Sequence, residues 1–258
     1  MRWVDAVLLY TDEEVASYRT TVIPAEKLFA TNNTVDEAPI QQAIAYWDDT
    51  RLGRFCAEHG LEDKLLLLYC GRLKPSARLD LALRALRQLH DADVPAVMAI
   101  IGDGPERAAL ASLAIELGIA SSVRWLGAVW DQMDLAPWFL SAQAFVYPGP
   151  IGLSLLHALN YGLPAVTHNN RANHHPEISA LDDGVNGLLF RESDADDLAD
   201  KIAMILRDPQ LHKRLSQGAL ETVNRRYSLA HMVEGFMAAV RYASNCAIER
   251  CRLAATRG

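Results

Sequence analysis

The sequence is poor in cysteine, in long apolar runs and in basic residues, and each shortage excludes a class of protein. Its four cysteines form no C-x-x-C pair, which argues against a disulfide scaffold or a zinc site and favours a reducing compartment. The longest unbroken apolar runs, such as Leu65–Cys70, are far too short for a transmembrane helix. The 25 Lys and Arg residues against 32 Asp and Glu give a formal net charge of -7, whereas duplex-DNA binders normally carry a basic excess.

The first residues also lack the pattern of a signal peptide, because Asp5 falls inside the region that would have to be apolar. Half of the 258 residues are apolar and 22% are charged, a folded composition with room for one large domain or two small ones. We therefore expect a cytoplasmic protein without a nucleic-acid partner. Peripheral contact with the inner face of a membrane stays open.

Short apolar runs alternate with helical patterns along most of the chain. Each run is apolar on both faces, as expected for strands covered by helices on both sides. Strict alternation predicts an α/β fold built on a Rossmann-like, doubly wound parallel sheet. The predicted strands are 5–10, 27–31, 65–70, 97–101, 123–126, 144–147, 165–167 and 188–190, and the predicted helices are 12–20, 39–59, 79–90, 105–117, 134–141, 153–161 and 194–206.

The loops that follow these strands are where a ligand should bind, because doubly wound sheets bind ligands at the carboxyl ends of their strands. One such loop, residues 148–154, carries Gly149 and Gly152 and leads straight into a helix. Glycine lets the backbone approach a ligand closely, and a helix start offers free N–H groups and positive potential, which suits a phosphate. An ordinary tight turn would use the same residues, so that alternative stays open.

Three cations follow the strand 65–70. Arg72 and Lys74 come directly after it, and Arg78 lies one helical turn further on. At the carboxyl end of a strand these side chains could neutralise phosphate oxygens, and the guanidinium of Arg72 offers a fork of donors. A solvated basic loop is the alternative. Three positive groups at this end of the sheet, in a net-negative chain, favour an anion site.

Other patterns point away from competing chemistries. Residues 102–105 (GDGP) lack the third glycine and the later acid of a dinucleotide fingerprint, and no G-x-S-x-G elbow supports a serine hydrolase. The group His168, His174, His175 and Glu177 lacks the helical spacing of zinc hydrolases. A polar, ligand-facing loop is therefore favoured over a metal site.

Two aromatic features have both a packing and a ligand-binding interpretation. Trp125, Trp130 and Trp138 are interpreted as core and rim packing rather than as a base-stacking surface. His157 lies inside an apolar helix, where most histidines are core or rim residues. Its place one turn past the glycine loop makes a ligand contact the second interpretation.

Taken in order, these segments resemble the donor-binding domain of glycosyltransferases with the GT-B fold, most closely the retaining, nucleotide-sugar-dependent family 4. The likeness runs from about residue 3 to about residue 242, and its specificity comes from the order and spacing of the segments. The matching segments are NNTVD (32–36), YCGRLKP (69–75), IIGDGPE (100–106), VRWLG (123–127), YPGPIGLS (147–154), YGLPAV (161–166), PE (176–177) and DGVNG (183–187).

The resemblance implies where the phosphates of a donor would bind. Arg72 would contact the diphosphate, with Lys74 and Arg78 as further cations. The backbone of Ile151, Gly152 and Leu153 at the helix start would hold the phosphates. The donor would be a nucleotide diphosphate sugar, and neither a metal nor another cofactor is expected.

The resemblance also implies contacts to the rest of the donor. The loop from Gly127 to Val129 would lie beside the nucleotide base. His157 would face the ribose, and Gly149 and Ser154 would lie in the sugar and ribose region. The acceptor would be a glycan or a lipid-linked molecule, as in polysaccharide biosynthesis.

The chain departs from the family pattern at three positions. Family members usually carry a lysine five residues after the arginine, where this chain has Ala77, and two glutamates eight positions apart, where it has Gly149 and His157. Lys74 or Arg78 could supply the lost cation, because a long flexible side chain reaches a phosphate from nearby positions. His157 could hydrogen-bond ribose hydroxyls, whereas Gly149 cannot replace a carboxylate. One bacterial branch of the family has a similar G-L-S-x-x-H form, so inactivity does not follow.

The resemblance divides the chain into three parts. Residues 1–30 would be a remnant of an N-terminal acceptor domain, residues 31–242 the donor-binding domain with its extra C-terminal helices, and residues 243–258 a tail at a frayed helix end. The acceptor domain would come from elsewhere, for example from a separate chain. The sequence thus predicts the donor-binding half of a retaining hexosyltransferase. A non-catalytic nucleotide-sugar-binding module, a subunit of a split transferase and, more weakly, a nucleotide-sugar epimerase are the alternatives.

Overall fold

A computed structural model describes residues 4–19 and 23–255, so the parts of the predictions that concern residues 1–3, 20–22 and 256–258 lie outside the described residues. The chain divides into two compact units, Met1–Val35 with Asn224–Gly258, and Asp36–Val223. The strands are β1 (Val7–Leu9), β2 (Leu28–Ala30), β3 (Leu65–Cys70), β4 (Ala96–Ile101), β5 (Val123–Gly127), β6 (Ala144–Val146), β7 (Ala165–His168) and β8 (Gly187–Phe190). The helices are α1 (Asp12–Tyr18), α2 (Ala38–Tyr46), α3 (Asp49–Glu58), α4 (Leu79–Asp91), α5 (Arg107–Glu116), α6 (Gln132–Ser141), α7 (Leu153–Asn160), α8 (Ala195–Arg207), α9 (Pro209–Arg226) and α10 (Leu229–Ala255).

The larger unit is built around six parallel strands in the order β5-β4-β3-β6-β7-β8. This is the order of a doubly wound sheet whose switch point lies between β3 and β6. The predicted Rossmann-like α/β fold is therefore confirmed. The carboxyl ends of all six strands meet at one edge, here called the carboxyl edge, and the loops that were predicted to bind a ligand lie there.

Apolar side chains on both faces hold this sheet between its helices. β4 is buried along its whole length, as is the centre of β3, which fits strands covered on both sides. On α4, Leu79, Leu83 and Leu86 recur at spacings of a helical turn and are buried, while Arg84 is exposed. Burying a leucine contributes about 1.5–3 kcal/mol relative to leaving it exposed. These leucines therefore anchor the helix that follows the Arg72 loop.

The predicted helix 39–59 is wrong as a single element, because the structure has α2 and α3 in its place. Trp47 ends α2, and its indole Nε1 donates a hydrogen bond of 2.9 Å to the carbonyl oxygen of Met133. Asp48 then caps α3 by accepting a hydrogen bond of 2.9 Å from the Arg51 N–H. A carboxylate at an N-cap satisfies a donor that has no helical partner, so a new helix starts here.

The smaller unit pairs β1 with β2 in parallel around a small core of Val15, Ile23 and Leu28. α10 packs against β2, and an ion pair between Arg250 and Asp5 holds its far end. Residues 243–255, predicted as a tail at a frayed helix end, form the last part of α10. The functional roles expected for residues 1–30 and 31–242 stay predictions, and the compact units divide the chain at other positions.

The structure also bears on membrane insertion. Within residues 4–19 and 23–255, no helix combines the length and the apolar character that crossing a bilayer requires. Peripheral contact with a membrane stays a prediction.

Candidate functional site

A cavity of about 430 Å³ opens at the carboxyl edge of the larger unit, where β3, β4 and β5 end. Three loops contribute its walls, so residues far apart in the sequence meet here. The structure brings the predicted Arg72 together with the predicted Val129, and Gly127 lies at the base of the same loop. The lining residues are Cys70, Gly71, Arg72, Ile101, Gly102, Asp103, Ala128, Val129 and Trp130.

Glycine backbone forms part of the cavity wall. Gly102 has a φ of +133°, and a Cβ added to it would lie 2.9 Å from the carbonyl carbon of Gly71. Its N–H donates a hydrogen bond of 2.7 Å to the carbonyl oxygen of Gly127. The loops after β3 and β4 therefore touch backbone to backbone, and only glycine is compatible with that approach and that φ. A ligand can come close to this wall because no side chain stands in front of it.

Arg72 and Lys74 lie on the same loop after β3, and of the two, Arg72 lines the cavity and Lys74 does not. Both are exposed, whereas Leu73 between them is fully buried, and the Leu73 N–H donates a hydrogen bond of 3.0 Å to the Asp103 carbonyl oxygen. Burial of Leu73 fixes the loop and turns its neighbours outward. Neither cation has an ion-pair partner within the described part of the chain. Arg72 lines the cavity, so its guanidinium can meet an anion there.

Arg78 differs from these two cations because it already has partners. Its guanidinium donates to both carboxylate oxygens of Asp80, at 3.0 and 3.2 Å, and to the Ser193 hydroxyl at 3.1 Å. The hydrogen bond to Asp80 raises the pKa of Arg78. Arg78 lines a second, smaller cavity of about 180 Å³ at the ends of β6, β7 and β8, and it is absent from the lining of the larger cavity.

The positions that depart from the family pattern, Ala77 and Gly149, pack directly on each other. A Cβ added to Gly149 would lie 2.8 Å from the Ala77 Cα and still closer to the Ser76 carbonyl oxygen. Ala77 is itself buried. The loops after β3 and β6 thus meet backbone to backbone where family members would carry a lysine and a glutamate. A side chain at position 149 could not be added without moving one of these loops.

A histidine fixes the glycine loop from the other side. The Ile151 N–H donates a hydrogen bond of 3.1 Å to Nδ1 of His174, and Nε2 of His174 bonds the His168 carbonyl oxygen at 2.8 Å. Because Nδ1 must accept, the proton of the neutral ring is on Nε2. Burial lowers the pKa of His174 to about 4. The N–H of Ile151 is therefore occupied, and Gly152 and Leu153 at the uncapped start of α7 offer the remaining backbone donors.

His157 faces the protein interior rather than either cavity. Its Nε2 lies 3.0 Å from Oε1 of Gln132, and its ring packs on Phe139 with 4.6 Å between ring centroids. Burial lowers the pKa of His157 to about 4. Ser154, one turn earlier, is hydrogen-bonded to the Tyr147 hydroxyl. The structure therefore gives both residues protein partners, and their predicted contacts with a sugar or ribose stay predictions.

The histidine-rich loop is compact. His168 is buried, its ring stacks on His174 with 3.8 Å between centroids, and neither of its ring nitrogens has a hydrogen-bond partner among the described residues. In that same part of the chain, no group of three or more His, Cys, Asp or Glu side chains is arranged to hold a metal ion.

The tryptophans have three different environments. Trp138 is 6% exposed and belongs to the core, and Trp125 is half-buried with the Arg107 guanidinium 4.0 Å above its ring. Trp130 is 88% exposed and lines the larger cavity. The packing interpretation is therefore wrong for Trp130. Its position three residues after the strand-ending Gly127, at the carboxyl edge, is the sequence signal that could have found it.

Comparison with known proteins gives a consistent result. The model of the family described as glycosyl transferases group 1 matches residues 55–222. A D-inositol 3-phosphate glycosyltransferase of Frankia alni is 36% identical over 177 residues, which cover 64% of this chain and 42% of that protein. A GDP-mannose-dependent alpha-(1-6)-phosphatidylinositol dimannoside mannosyltransferase of Mycobacterium tuberculosis is 32% identical over 154 residues, 58% of this chain and 38% of that protein. The chain thus spans about two fifths of the length of these relatives.

The fold has close counterparts among solved structures. The structure of Anabaena HepE in complex with UDP superposes with a TM-score of 0.75 and 17% sequence identity, over 93% of this chain and 64% of that one. The WaaG glycosyltransferase involved in lipopolysaccharide biosynthesis gives a TM-score of 0.68 and 17% identity, over 90% of this chain and 61% of that one. At these identities the likeness concerns the fold.

Proposed function

Because the chain belongs to the glycosyl transferases group 1 family, we propose that its carboxyl edge binds the nucleoside diphosphate of a nucleotide-sugar donor. One observation carries the proposal: Arg72 stands without an ion-pair partner in the described chain at a cavity walled by glycine backbone. The start of α7 follows the strand β6, which is the neighbour of β3. We propose that a diphosphate bound by Arg72 also meets the N–H groups at this helix start, since a cation together with a helix start suits a diphosphate.

The proposed reaction is retaining transfer of a hexosyl group. The bond between the anomeric carbon and the phosphate oxygen breaks, the nucleoside diphosphate leaves with the bonding electrons, and an oxocarbenium-like centre develops. An acceptor hydroxyl then attacks that carbon and loses its proton. Arg72, Lys74 and the N–H groups of Gly152 and Leu153 would stabilise the leaving diphosphate. The proposal assigns this stabilisation to fixed cations and amides, without a metal or another cofactor.

The acceptor side of the proposal rests on the relatives. The relatives described above are, by name, a D-inositol 3-phosphate glycosyltransferase and a phosphatidylinositol dimannoside mannosyltransferase, and this chain spans about two fifths of their length. We infer a glycan or lipid-linked acceptor that is bound with the help of a further domain or a separate chain. A cytoplasmic location, with peripheral contact at the inner membrane face, fits such an acceptor.

A second candidate function is a nucleotide-sugar-binding module without transferase activity, alone or as a subunit of a split enzyme. The packing of Ala77 on Gly149 favours it, because it leaves no room for the glutamate that the resemblance implies at position 149. Binding of the nucleotide does not need a carboxylate at position 149. Transfer of the sugar is the step that its absence would affect.

Isothermal titration of the purified chain with UDP, GDP and ADP tests the shared part of both candidates. The expected result is binding of at least one nucleotide, and no binding by folded protein would overturn the proposal. Hydrolysis and transfer of the matching nucleotide sugar, with and without a supplied acceptor domain, then separates the two. Transfer only with the added domain supports the donor-binding half of a transferase, whereas binding without transfer in both conditions supports the module.

A further inference from the structure

Trp130 is a large apolar side chain that the packing of the larger unit leaves in solvent. Its indole is 88% exposed, against 6% for Trp138. Tryptophan supplies a large apolar surface whose burial stabilises a protein or an interface. An indole held in water at the lining of a cavity therefore indicates a surface that a ligand covers.

The segment that carries Trp130 is fixed at both ends. Gly127 ends β5 with a φ of +71°, and its carbonyl oxygen accepts the hydrogen bond from the Gly102 N–H. On the other side, the Asp131 carboxylate caps α6 by accepting a hydrogen bond of 2.8 Å from the Met133 N–H. Trp130 thus lies on a short connection between two anchored points, so little backbone freedom is lost when a ligand binds.

The cavity beside the indole is suited to a flat, uncharged ring. Ile101 and Cys70 contribute apolar surface, and burial raises the pKa of the Cys70 thiol to about 12, which keeps it neutral. Gly71 and Gly102 present backbone without side chains. Arg72 lies in the same lining and is the group suited to a diphosphate. One cavity therefore holds an aromatic surface together with a separate cation.

We propose that Trp130 is the stacking surface for the nucleotide base. It would supply the part of the donor's affinity that comes from the base rather than from the phosphates. The inference rests on the proposed function and adds a specificity-determining residue to it. Stacking of a base on an aromatic side chain is tolerant of base identity, since every base has a π-face. A purine overlaps an indole over a larger area than a pyrimidine does. Trp130 should therefore contribute more to the binding of GDP and ADP than to the binding of UDP.

The test compares Trp130→Ala, Trp130→Phe and a control, Ile115→Ala, which removes an exposed apolar side chain of α5 outside the cavity. Calorimetric titrations use GDP, UDP and inorganic pyrophosphate, which has the two phosphates but no base. Trp130→Ala should raise the dissociation constants of the nucleotides by roughly five- to 150-fold, the range found for base stacking, and that of pyrophosphate by less than about twofold. Trp130→Phe should recover most of the loss, and Ile115→Ala should match the wild type.

Fluorescence gives a second readout that does not depend on activity. The emission of Trp130 is the difference between the emission of the wild type and that of Trp130→Phe. A stacked base should quench this emission, and pyrophosphate should not. Equal nucleotide affinities in wild type and Trp130→Ala would overturn the inference and leave the proposed function standing. If Trp130→Ala lost as much affinity for pyrophosphate as for the nucleotides, Trp130 would support the structure of the site. That result would also overturn the inference and leave the proposed function standing. Failure of the wild type to bind any nucleotide would overturn both, and thermal unfolding of each variant shows whether it is folded.

Discussion

The two halves of the carboxyl edge differ in how their polar groups are used. In the half formed by β3, β4 and β5, Arg72 and Lys74 lack ion-pair partners within the described residues, and Trp130 stands in solvent. At the ends of β6, β7 and β8, most polar side chains have protein partners, and the buried His168 ring is an exception. Arg78 pairs with Asp80, Glu192 accepts hydrogen bonds of 2.7 Å from Asn170 and from Asn173, and His174 bonds Ile151.

This difference suggests that one half of the edge binds the ligand and the other half holds the loops in place. A partnered charge contributes little to a ligand, because it would first have to give up its bonds, whereas an open charge can meet a phosphate at once. We infer that the first half, which we call the open half, supplies most of the binding free energy. The second half, which we call the closed half, holds the glycine loop in shape. The experiments below change one half at a time.

The largest effect is expected from Gly149→Ala in the closed half. The added Cβ would meet backbone atoms of Ser76 and Ala77, which cannot move aside as a flexible side chain would. Overpacking of this kind costs about 3 kcal/mol, so we expect the free energy of unfolding to fall by about that amount in chemical denaturation. Gly149→Glu should not create a working carboxylate for the same reason.

Gly53→Ala is the matched control for that substitution. Gly53 lies within α3, and a Cβ added to it meets nothing within 4 Å. Alanine is favoured over glycine inside a helix by about 1 kcal/mol, so this variant should be slightly stabilised. If Gly149→Ala were as stable as the wild type, the contact between the loops after β3 and β6 would not be rigid, and a lysine and a glutamate could be restored there.

Much of the fold was accessible from the sequence, because it depends on local patterns. Apolar runs such as 65–70 mark strands whatever their neighbours are, and the rule for doubly wound sheets places the loop of Arg72 at the carboxyl edge. The break between α2 and α3 was missed, since it depends on Asp48 acting as a cap and on Trp47 bonding Met133, a residue far along the chain.

The site was less accessible, because its properties depend on which groups find partners. Arg72 and Arg78 are both cations that follow β3, and only the structure shows that Asp80 holds Arg78. The exposure of Trp130 and the bond from Ile151 to His174 likewise follow from contacts between distant segments. The assigned contacts with base, ribose and phosphates stay predictions.

The second effect in size is expected from Arg72→Gln in the open half. Hydrogen bonds to a charged group contribute about 1.5–3 kcal/mol, so the dissociation constant of the bound nucleoside diphosphate should rise roughly 10- to 150-fold. Calorimetry at constant ionic strength measures it. Arg84→Gln, which removes the same charge from the exposed side of α4, is the control. A similar loss in both variants would mean that net charge, and not a contact by Arg72, attracts the ligand.

The third prediction concerns the pH dependence of stability that arises from His157 in α7. Burial lowers the pKa of His157 to about 4, whereas an imidazole in the unfolded chain titrates near 6.5. Between these values the unfolded chain binds a proton that the folded protein excludes, so stability falls as the pH falls from about 6.5 toward 4. For His157 we expect a loss of about 1–2 kcal/mol in the free energy of unfolding between pH 7 and pH 5.

Chemical denaturation of the wild type and of His157→Gln at pH 7, 6 and 5 measures the contribution of His157. The free energy of unfolding of the variant should fall less between pH 7 and pH 5 than that of the wild type. His174 shifts in the same direction through burial and should leave a remaining slope. Hydrogen bonds from Asn170 and Asn173 lower the pKa of Glu192, so its stabilisation is lost only at more acidic pH. An unchanged slope in His157→Gln would contradict the assignment.

The smallest effect is expected from Arg78→Asn, which tests the comparison most directly. Arg78 has a φ of +51°, and asparagine tolerates this left-handed conformation better than most residues, so the variant removes the cation without adding strain. The lost pair with Asp80 is about 39% exposed on both sides, and such pairs contribute about 0.2–1 kcal/mol. Nucleotide affinity should change by less than about threefold, since the guanidinium is held by Asp80 and Ser193. A loss as large as that of Arg72→Gln would show that Arg78 leaves Asp80 to meet the diphosphate, and the closed half would then contribute a charged side chain to the ligand site in addition to the backbone N–H groups at the start of α7.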